Sequence, residues 1–307
     1  MKILFMGTPD FAAVCLDAII KKGHSIVGVV SQPDKPRGRG HKLMPPPVKE
    51  CAMEKDIPVY QPVTLKDGIF EEVLNETKPE LIVVVAYGKI LPKYILDYPK
   101  YGCVNVHASL LPKYRGAAPI QWSIINGEEK TGITTMYMAE GLDTGDMILK
   151  AETPIGKTET YGELHDRLSV IGAELLIETI EKIENGTAPR EEQNDAESCY
   201  ASMILKETGH IDWNKNTDEI LNLIRGLNPM PMSFALYDTV PMKIIVAEKM
   251  TGKGTPGEIL QVDKNGILVA TGDGAILIKE IQMQGSKRME VSSYINGHEI
   301  KVGLILE

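Results

Sequence analysis

The sequence predicts an α/β protein in which a doubly wound, mostly parallel sheet is followed by a smaller β-barrel. Two observations lead to this prediction. Short apolar runs rich in Val and Ile alternate with amphipathic stretches through the first 185 residues, and five short strand-like runs follow near the end. Runs that are apolar on both faces need helices on both sides of their sheet. Hydrophobic content of 43% excludes a chain that is disordered as a whole.

The first half of the chain supplies the parallel sheet and its helices. The predicted strands are residues 2–6, 25–31, 81–85, 102–107, 133–138 and 147–149. Helices are predicted over 11–22 and 64–75. Thr160 and Glu163 form a capping-box pattern, which predicts a helix running to about Asn185.

A change of pattern after Asn185 predicts a domain boundary. Residues 186–206 show no sustained hydrophobic period and are predicted to be a linker between a domain at 1–185 and a second domain at 207–307. One helix, 217–226, opens the second domain. Its strands are predicted at 233–237, 242–248, 257–262, 266–271 and 275–281. Five short strands favour a small OB-like barrel.

Residues 210–213 are predicted to form one more strand before that helix. The stretch carries Trp213, which we expect to pack at the junction of the two domains.

Charge and composition narrow the functional classes. The net charge of −9 argues against a protein that coats nucleic acid non-specifically, so any nucleic-acid contact has to be local. No apolar run approaches the roughly 18 residues of a membrane helix, and the start lacks a signal-peptide core. Four widely spaced cysteines favour reduced thiols. We expect a soluble cytoplasmic protein with no metal site.

An amide and an imidazole stand together at the end of one predicted strand. Asn105 and His107 are two residues apart, and strand side chains alternate between faces, so both point to the same side at the mouth of the sheet. Ligands of open α/β sheets bind at this end. Asn can donate to a developing oxyanion, and His transfers protons near neutral pH. The alternative is that both residues only cap the following loop.

The loop GLDTGD at 141–146 carries a carboxylate that can orient the imidazole. Asp143 lies between two predicted strands and is the obvious candidate to orient His107. The alternative is a plain turn, in which carboxylates cap backbone N–H groups and the glycines take positive φ.

Positive charge is concentrated in residues 34–42, DKPRGRGHK. Such a sequence is predicted to be an exposed, mobile loop, and its cations indicate a local phosphate partner. The alternative is a solvated loop without function. After the first strand, one glycine at Gly7 and the missing N–H of Pro9 disfavour a dinucleotide site.

Together these segments resemble the methionyl-tRNA formyltransferase family of the folate-dependent formyltransferases. The resemblance covers the whole chain. It rests on GTPDFA, QPDKPRGRGHKLMPPPVK, AYGKILP, NVHASLLPKYRGAAPIQW and GLDTGDM in the first domain, and on IDW and IRGLNPMPMSFA in the second. The wider superfamily shares only the Asn-x-His, SLLP and Asp-loop core, so the flanking motifs narrow the resemblance to the tRNA enzymes.

The resemblance implies roles for individual residues. Asn105, His107 and Asp143 match the catalytic trio, whereas a folate-binding segment is matched by Ser109, Leu110, Leu111 and Pro112. The tRNA-binding loop is matched by Arg37, Arg39 and Lys42.

The resemblance also implies a reaction and its partners. The implied reaction moves a formyl group from 10-formyltetrahydrofolate to the α-amine of initiator methionyl-tRNA, without a metal. We expect a monomer with a Rossmann-like catalytic domain and a C-terminal domain that binds tRNA. One departure stands out. Family members can have a basic second domain, whereas here it is net negative.

Two other functions stay open from the sequence. A formyltransferase could act on a small amine, either a glycinamide nucleotide or an amino-sugar nucleotide. A glycinamide-nucleotide enzyme would favour a Gly-rich phosphate turn after the first strand, and GTPDFA is poorly suited to that. An amino-sugar enzyme shares much of the SLLPKYRG region. The basic loop at 34–42 and the motifs of the second domain therefore distinguish the tRNA enzyme from the amino-sugar enzyme. A non-enzymatic tRNA-binding or folate-sensing module is the third possibility, and the intact Asn105, His107 and Asp143 set argues against it.

Overall fold

A computed structural model of the chain describes residues 1–37, 42–66 and 68–307, without the side chains of Arg37 and Lys42. The predicted tRNA-binding residue Arg39 lies outside the described residues. The chain divides into two compact units. The sheet unit is formed by Met1–Gly116, Thr131–Thr153 and His165–Tyr200. The C-terminal unit is formed by Ala117–Lys130, Pro154–Leu164 and Ala201–Glu307.

The elements up to residue 201 follow the predicted alternation of strands and helices. The strands are β1 (Lys2–Gly7), β2 (Ser25–Val30), β3 (Lys35–Arg37), β4 (Lys42–Met44), β5 (Val59–Tyr60), β6 (Leu81–Val85), β7 (Cys103–His107), β8 (Arg115–Gly116), β9 (Lys130–Tyr137), β10 (Met147–Pro154) and β11 (Tyr200–Ala201). The helices are α1 (Asp10–Lys21), α2 (Pro47–Met53), α3 (Ile69–Thr77), α4 (Lys93–Leu96), α5 (Pro119–Ile125) and α6 (Tyr161–Glu184). A short 3₁₀ turn spans Asp195–Glu197.

A seven-stranded sheet forms the centre of the sheet unit, in the order β10-β9-β7-β6-β1-β2-β5. The pairs from β5 to β7 are parallel, and β9 runs antiparallel to β7. The chain moves outward from β1 through β2 to β5, and then returns to β6 on the other side of β1. The mostly parallel, doubly wound sheet is therefore confirmed. Its switch point lies between β1 and β6, where open α/β sheets bind ligands beyond the strand ends.

Burial explains why these runs are strands of a covered sheet. All five residues of β6 are buried, and in β1 the side chains from Ile3 to Met6 are fully buried. Phe70 and Leu74 of α3 pack into the same apolar cluster as Leu4 and Ile82. Both faces of the central strands are thus removed from water, as their continuous apolar pattern predicts.

Two predictions for residues 34–75 were wrong in part. The helix predicted over 64–75 begins only at Ile69, because Gly68 before it takes a left-handed φ of 75°. Strand β5 was missed, since two residues carry no readable period. Within the stretch predicted to be a mobile loop, β3 and β4 pair as an antiparallel ladder that joins Lys35 to Met44. Backbone pairing of this kind needs no buried side chain.

The C-terminal unit contains the predicted antiparallel strands. After a 3₁₀ turn at Lys206–Gly209, its elements are α7 (Thr217–Gly226), β12 (Ser233–Tyr237), β13 (Val240–Met250), β14 (Ile259–Asp263), β15 (Gly266–Ala270), β16 (Ala275–Met283), β17 (Met289–Glu290) and α8 (Val291–Tyr294). The sheet order is β12-β13-β16-β15-β14, and β17 pairs with β16. Helix α7 has the bounds that the sequence predicts.

Residues 303–307 hydrogen bond to both edge strands of this sheet. Leu236 of β12 and Glu307 exchange two backbone hydrogen bonds of 2.6 and 3.1 Å, while Ile259 of β14 donates to the Leu304 carbonyl at 2.9 Å. One segment thus joins opposite edges, an arrangement compatible with a barrel. The OB-like assignment stays a prediction.

The strand predicted at residues 210–213 was wrong. A single parallel bridge joins His210 to Phe234, after which the Asp212 carboxylate accepts the Asn214 N–H at 3.1 Å. This Asx turn redirects the chain before a ladder can grow. Trp213 is 4% exposed and lies in the apolar core of the C-terminal unit. Its packing at the junction of the two domains stays a prediction.

The stretch predicted as a surface linker has specific contacts within the sheet unit. Glu191 and Met147 exchange two backbone hydrogen bonds of 2.8 and 2.9 Å, and the Arg115 N–H donates to the Cys199 carbonyl at 2.9 Å. Residues 187–200 thus group with the sheet unit. A division into domains at 1–185 and 207–307 with a linker at 186–206 stays a prediction.

Candidate functional site

The carboxyl end of β7 carries the two polar residues that the sequence singled out. Asn105 pairs with Val84 of β6 and with Met136 of β9, so it lies inside the sheet. Its side chain is partly exposed, and among the described residues none hydrogen bonds with it. His107 is 5% exposed. The carboxamide of Asn105 is therefore available to a ligand, whereas the imidazole is embedded in protein.

Both ring nitrogens of His107 have defined neighbours. Nε2 lies 2.9 Å from the carbonyl oxygen of Tyr114, and Nδ1 lies 3.6 Å from Oδ2 of Asp143. Because a carbonyl only accepts hydrogen bonds, Nε2 carries a proton and donates it. Nδ1 is then the ring nitrogen that can gain or lose a proton, and it faces a carboxylate.

Asp143 both caps the backbone and faces the imidazole. Its Oδ2 accepts the Gly116 N–H at 2.8 Å, and its side chain is 13% exposed. The turn interpretation of this loop was wrong about the glycines, because the left-handed φ of 52° belongs to Asp143 itself. Gly145 is needed for space instead. A Cβ there would lie 1.8 Å from the Tyr137 carbonyl oxygen.

The predicted folate segment is a tightly hydrogen-bonded loop. Ser109 Oγ donates to the Lys113 carbonyl at 2.6 Å, and the Ser109 carbonyl accepts from Thr134 Oγ1 at 2.7 Å. Thr134 Oγ1 also accepts the Leu111 N–H at 3.1 Å. Ser109 and Leu111 are buried, so they hold the shape of the loop. Leu110 and Pro112 are the members of the segment with exposed surface.

The basic segment is only partly described. The backbones of Arg37 and Lys42 face each other in the β3–β4 ladder. The acidic residue of the segment, Asp34, accepts hydrogen bonds from Gln61 at 2.8 Å and from Lys49 at 2.9 Å, which lower the pKa of its carboxyl. Asp34 is thus held by neighbours within the sheet unit.

Sequence reasoning missed residues that surround the His107–Asp143 pair. Tyr114 contacts the His107 ring through its carbonyl, a group that any residue type has. Gln193 donates from its side-chain amide to the carbonyls of Asp143 and Gly145 at 2.7 and 2.8 Å. Gln193 belongs to the stretch without a hydrophobic period, and no signal in the sequence singles it out.

Burial excludes Cys103 as a nucleophile at this site. Cys103 lies in the same strand as Asn105, and burial raises the pKa of its thiol to about 12, so it is no thiolate nucleophile near neutral pH. Within the described ranges, no group of three or more His, Cys, Asp or Glu residues is placed to hold a metal ion. In the same ranges, no helix is both long and apolar enough to cross a membrane.

This geometry combines three chemical capacities at one strand end. The carboxamide of Asn105 can donate hydrogen bonds to an oxyanion, Nδ1 of His107 can transfer a proton, and the carboxylate of Asp143 can hold or receive one. Such a set suits attack of a nucleophile on a carbonyl carbon.

Two family models cover most of the chain. The formyl transferase model matches residues 1–180, and the model of the formyl transferase C-terminal domain matches residues 203–299.

Curated relatives match over the full length. The methionyl-tRNA formyltransferase of Clostridioides difficile (strain 630) is 56% identical over 308 residues, covering 100% of both chains. That of Alkaliphilus oremlandii (strain OhILAs) is 55% identical, covering 100% of this chain and 99% of its own.

Solved structures share the fold at lower identity. The N-formyltransferase from Helicobacter canadensis, in complex with folinic acid and dTDP-3-aminofucose, has a TM-score of 0.69 and 23% identity, covering 94% of this chain and 100% of its own. HypX from Aquifex aeolicus in complex with tetrahydrofolic acid has a TM-score of 0.64 and 18% identity. That match covers 97% of this chain and 47% of the HypX chain, so this chain spans about half the length of HypX. From the family models and the full-length relatives together, we conclude that the chain belongs to the methionyl-tRNA formyltransferase family.

Proposed function

We propose that this protein is the enzyme that transfers a formyl group from 10-formyltetrahydrofolate to the α-amine of initiator methionyl-tRNA, for use in translation initiation. The observation that carries the proposal is the contact of His107 with Asp143, together with the amide of Asn105 on the same strand β7, which has no hydrogen-bond partner among the described residues. Relatives at 56% and 55% identity that are named for this reaction support it.

The reaction needs an oxyanion partner and two proton transfers. An amine attacks the formyl carbon, an oxyanion develops in the tetrahedral intermediate, the attacking nitrogen loses a proton and the leaving N10 gains one. The Asn105 amide donates to the oxyanion, since among the described residues none occupies it. Preorganised donors of this kind stabilise charge as it develops, which lowers the barrier.

His107 and Asp143 handle the protons. Nε2 of His107 is held by the Tyr114 carbonyl at 2.9 Å, so the ring keeps its orientation while Nδ1 gains or loses a proton. Asp143, 3.6 Å from Nδ1, stabilises the imidazolium or accepts the proton from the amine through water. No redox step is required, because the formyl carbon keeps its oxidation state.

The folate co-substrate fits the loop after β7. Leu110 and Pro112 offer partly exposed apolar surface, and the hydrogen bonds of Ser109 and the Leu111 backbone keep that surface in place. We assign Ser109, Leu110, Leu111 and Pro112 to folate binding on this basis.

The tRNA is assigned to the basic segment. Arg37, Arg39 and Lys42 supply its phosphate contacts, and the C-terminal domain at 207–307 adds tRNA contacts in spite of its net negative charge. The proposal includes a monomer that works in the cytoplasm, where methionyl-tRNA is charged and used.

A competition assay tests the proposed function. Purified protein and 10-formyltetrahydrofolate are offered methionyl-tRNA, a glycinamide nucleotide and a dTDP-amino sugar in parallel. We expect formylation of methionyl-tRNA alone, with uncharged tRNA as the matched control. Formylation of the small amines only would overturn the assignment.

A further inference from the structure

One segment touches both sides of the His107–Asp143 pair. We call residues 190–199 the strap. Arg190 lies 3.7 Å above the ring of Tyr137 and 3.2 Å from the carboxylate of Asp146, at the two ends of the loop that carries Asp143. Cys199 Sγ accepts the Tyr114 N–H at 3.2 Å, next to the carbonyl that holds His107. The strap therefore joins the loop of Asp143 to the loop that orients His107.

Gln193 is the centre of the strap. It is 8% exposed, and the two hydrogens of its amide reach the carbonyls of Asp143 at 2.7 Å and of Gly145 at 2.8 Å. Its Oε1 accepts from Nε of Arg115 at 3.0 Å. A second nitrogen of Arg115 donates to the Asp195 carboxylate at 2.7 Å.

These partners determine which way the amide points. Two carbonyl oxygens can only accept, and a guanidinium can only donate, so the NH₂ end must face Asp143 and Gly145 while the oxygen faces Arg115. Reversing the amide would place oxygen against oxygen and hydrogen against hydrogen. Gln193 is thus fully satisfied in a single orientation.

Hydrogen bonds from outside the loop stabilise the backbone conformation of Asp143. Its φ of 52° lies in the left-handed region, which is strained for most residues with a Cβ and which Asp adopts where hydrogen bonds hold it. Gln193 holds the carbonyl of this same residue and the carbonyl two residues later. Together with the Gly116 N–H on Oδ2, these bonds aim the carboxylate at Nδ1 of His107.

We propose that Gln193 is a positioning residue for formyl transfer, which acts through the backbone of Asp143 to set the contact between Asp143 and His107. The proposal rests on the proposed function for its activity readout. It assigns Gln193 no contact with either substrate.

The test is a double-mutant cycle between Gln193 and Asp143. Gln193→Glu keeps the size and the acceptor for Arg115 but removes both donors to the loop. We expect kcat to fall by about 10²-fold with both KM values nearly unchanged, because a displacement of about 1 Å at a reacting group has this effect. In an Asp143→Asn background, Gln193→Glu should lower kcat little further, because the carboxylate that Gln193 positions is already missing.

Asn194→Asp is the matched control. It makes the same change from amide to carboxylate one residue away, where the exposed side chain accepts the Ala196 N–H at 3.2 Å and donates to Glu197 Oε1 at 2.9 Å, both within residues 194–197. We expect its kcat to stay near that of the wild type. Equal losses in Gln193→Glu and Asn194→Asp would overturn the proposal, because added negative charge would explain both.

A second readout is independent of substrates. In an NMR titration, the ring signals of His107 should change their pH dependence in Gln193→Glu and not in Asn194→Asp.

Failure of the wild-type protein to formylate methionyl-tRNA would refute the proposed function, whereas an unchanged His107 titration would refute the role of Gln193. If Gln193→Glu does not fold, Gln193→Met enters the same cycle. Unfolding of both, or additive losses in the cycle, would show that Gln193 supports the whole unit and would overturn the proposal.

Discussion

His107 shows how a buried side chain can keep one ring nitrogen next to a carboxylate. Its Nε2 proton is engaged by the Tyr114 carbonyl, which fixes the ring, and its Nδ1 faces Asp143. The side chain of Asn105, two residues earlier, differs because it has no hydrogen-bond partner within the described part of the chain. In the proposed function, the fixed ring transfers protons through Nδ1, and the amide donates to the oxyanion of the transition state.

The first prediction concerns these two side chains. His107→Ala should lower kcat by about 10²–10⁴-fold because proton transfer is lost. Asn105→Ala should lower kcat by about 10²–10³-fold because an oxyanion donor is lost. Steady-state kinetics with methionyl-tRNA and thermal unfolding of each variant are the measurements, and folding should survive both. A normal kcat with a raised KM would show that these residues bind substrate instead.

The second prediction concerns Asp143. Asp143→Asn keeps an oxygen that can accept the Gly116 N–H but removes the charge that faces His107. We expect a loss of activity and a changed pH–rate profile, measured between about pH 5 and 9 around the usual His range. Full activity with an unchanged profile would reduce the loop to a backbone turn.

Among the elements, α7 shows how local signals define a helix. Asn216 Oδ1 accepts the Glu219 N–H at 2.8 Å, and Glu219 Oε2 accepts the Asn216 N–H at 3.2 Å. This reciprocal capping box satisfies two backbone donors that the helix start leaves without intrahelical partners. The helix therefore begins where the sequence places it.

The third prediction follows from this cap. Asn216→Ala should lower the free energy of unfolding of the C-terminal unit by about 1 kcal/mol, because the Glu219 N–H loses its acceptor. Asn216→Ser, which keeps an acceptor, is the control and should lose much less. Urea unfolding, monitored by hydrogen exchange of the α7 amides, measures the free energy of unfolding of both variants. Equal stability of the alanine and wild-type proteins would contradict the assigned cap.

For the molecule as a whole, charge is the central problem. A chain with a net charge of −9 has to bind tRNA, which is itself highly acidic. Diffuse attraction is therefore weak, and the binding energy has to come from a few close phosphate contacts. Residues 34–42 are the densest source of positive charge in the sequence, and their own acid, Asp34, is held by Lys49 and Gln61.

The fourth prediction tests this segment. Arg39→Ala should weaken methionyl-tRNA binding and reduce the slope of log K against log salt by about one unit, because one phosphate contact contributes about −0.9 on duplex nucleic acid. Binding of 10-formyltetrahydrofolate should stay unchanged. Both affinities are measured across a salt series. An unaltered tRNA slope, or a loss of folate binding, would move tRNA recognition to the C-terminal domain.

Local patterns in the sequence were sufficient for much of the fold. The buried strands at 2–6 and 81–85, the helix at 217–226 and the five strands of the second domain follow from hydrophobic period and turn residues. These signals act between near neighbours, so they can be read without the fold. Alternation along β7 likewise placed Asn105 and His107 on one face. The resemblance to the family supplied their roles, which stay predictions.

Contacts between distant residues could not be read in this way. Gln193 meets Asp143 across 50 positions, and Arg115 meets Gln193 across 78. Such hydrogen bonds form only because the fold brings distant residues together. The residues around Gln193 in the sequence therefore show no pattern that predicts its partners. The same reason explains why β5 and the contacts of the strap were missed. Alternation along a strand decides which way His107 points, whereas only the folded chain brings Tyr114, Asp143 and Gln193 around it.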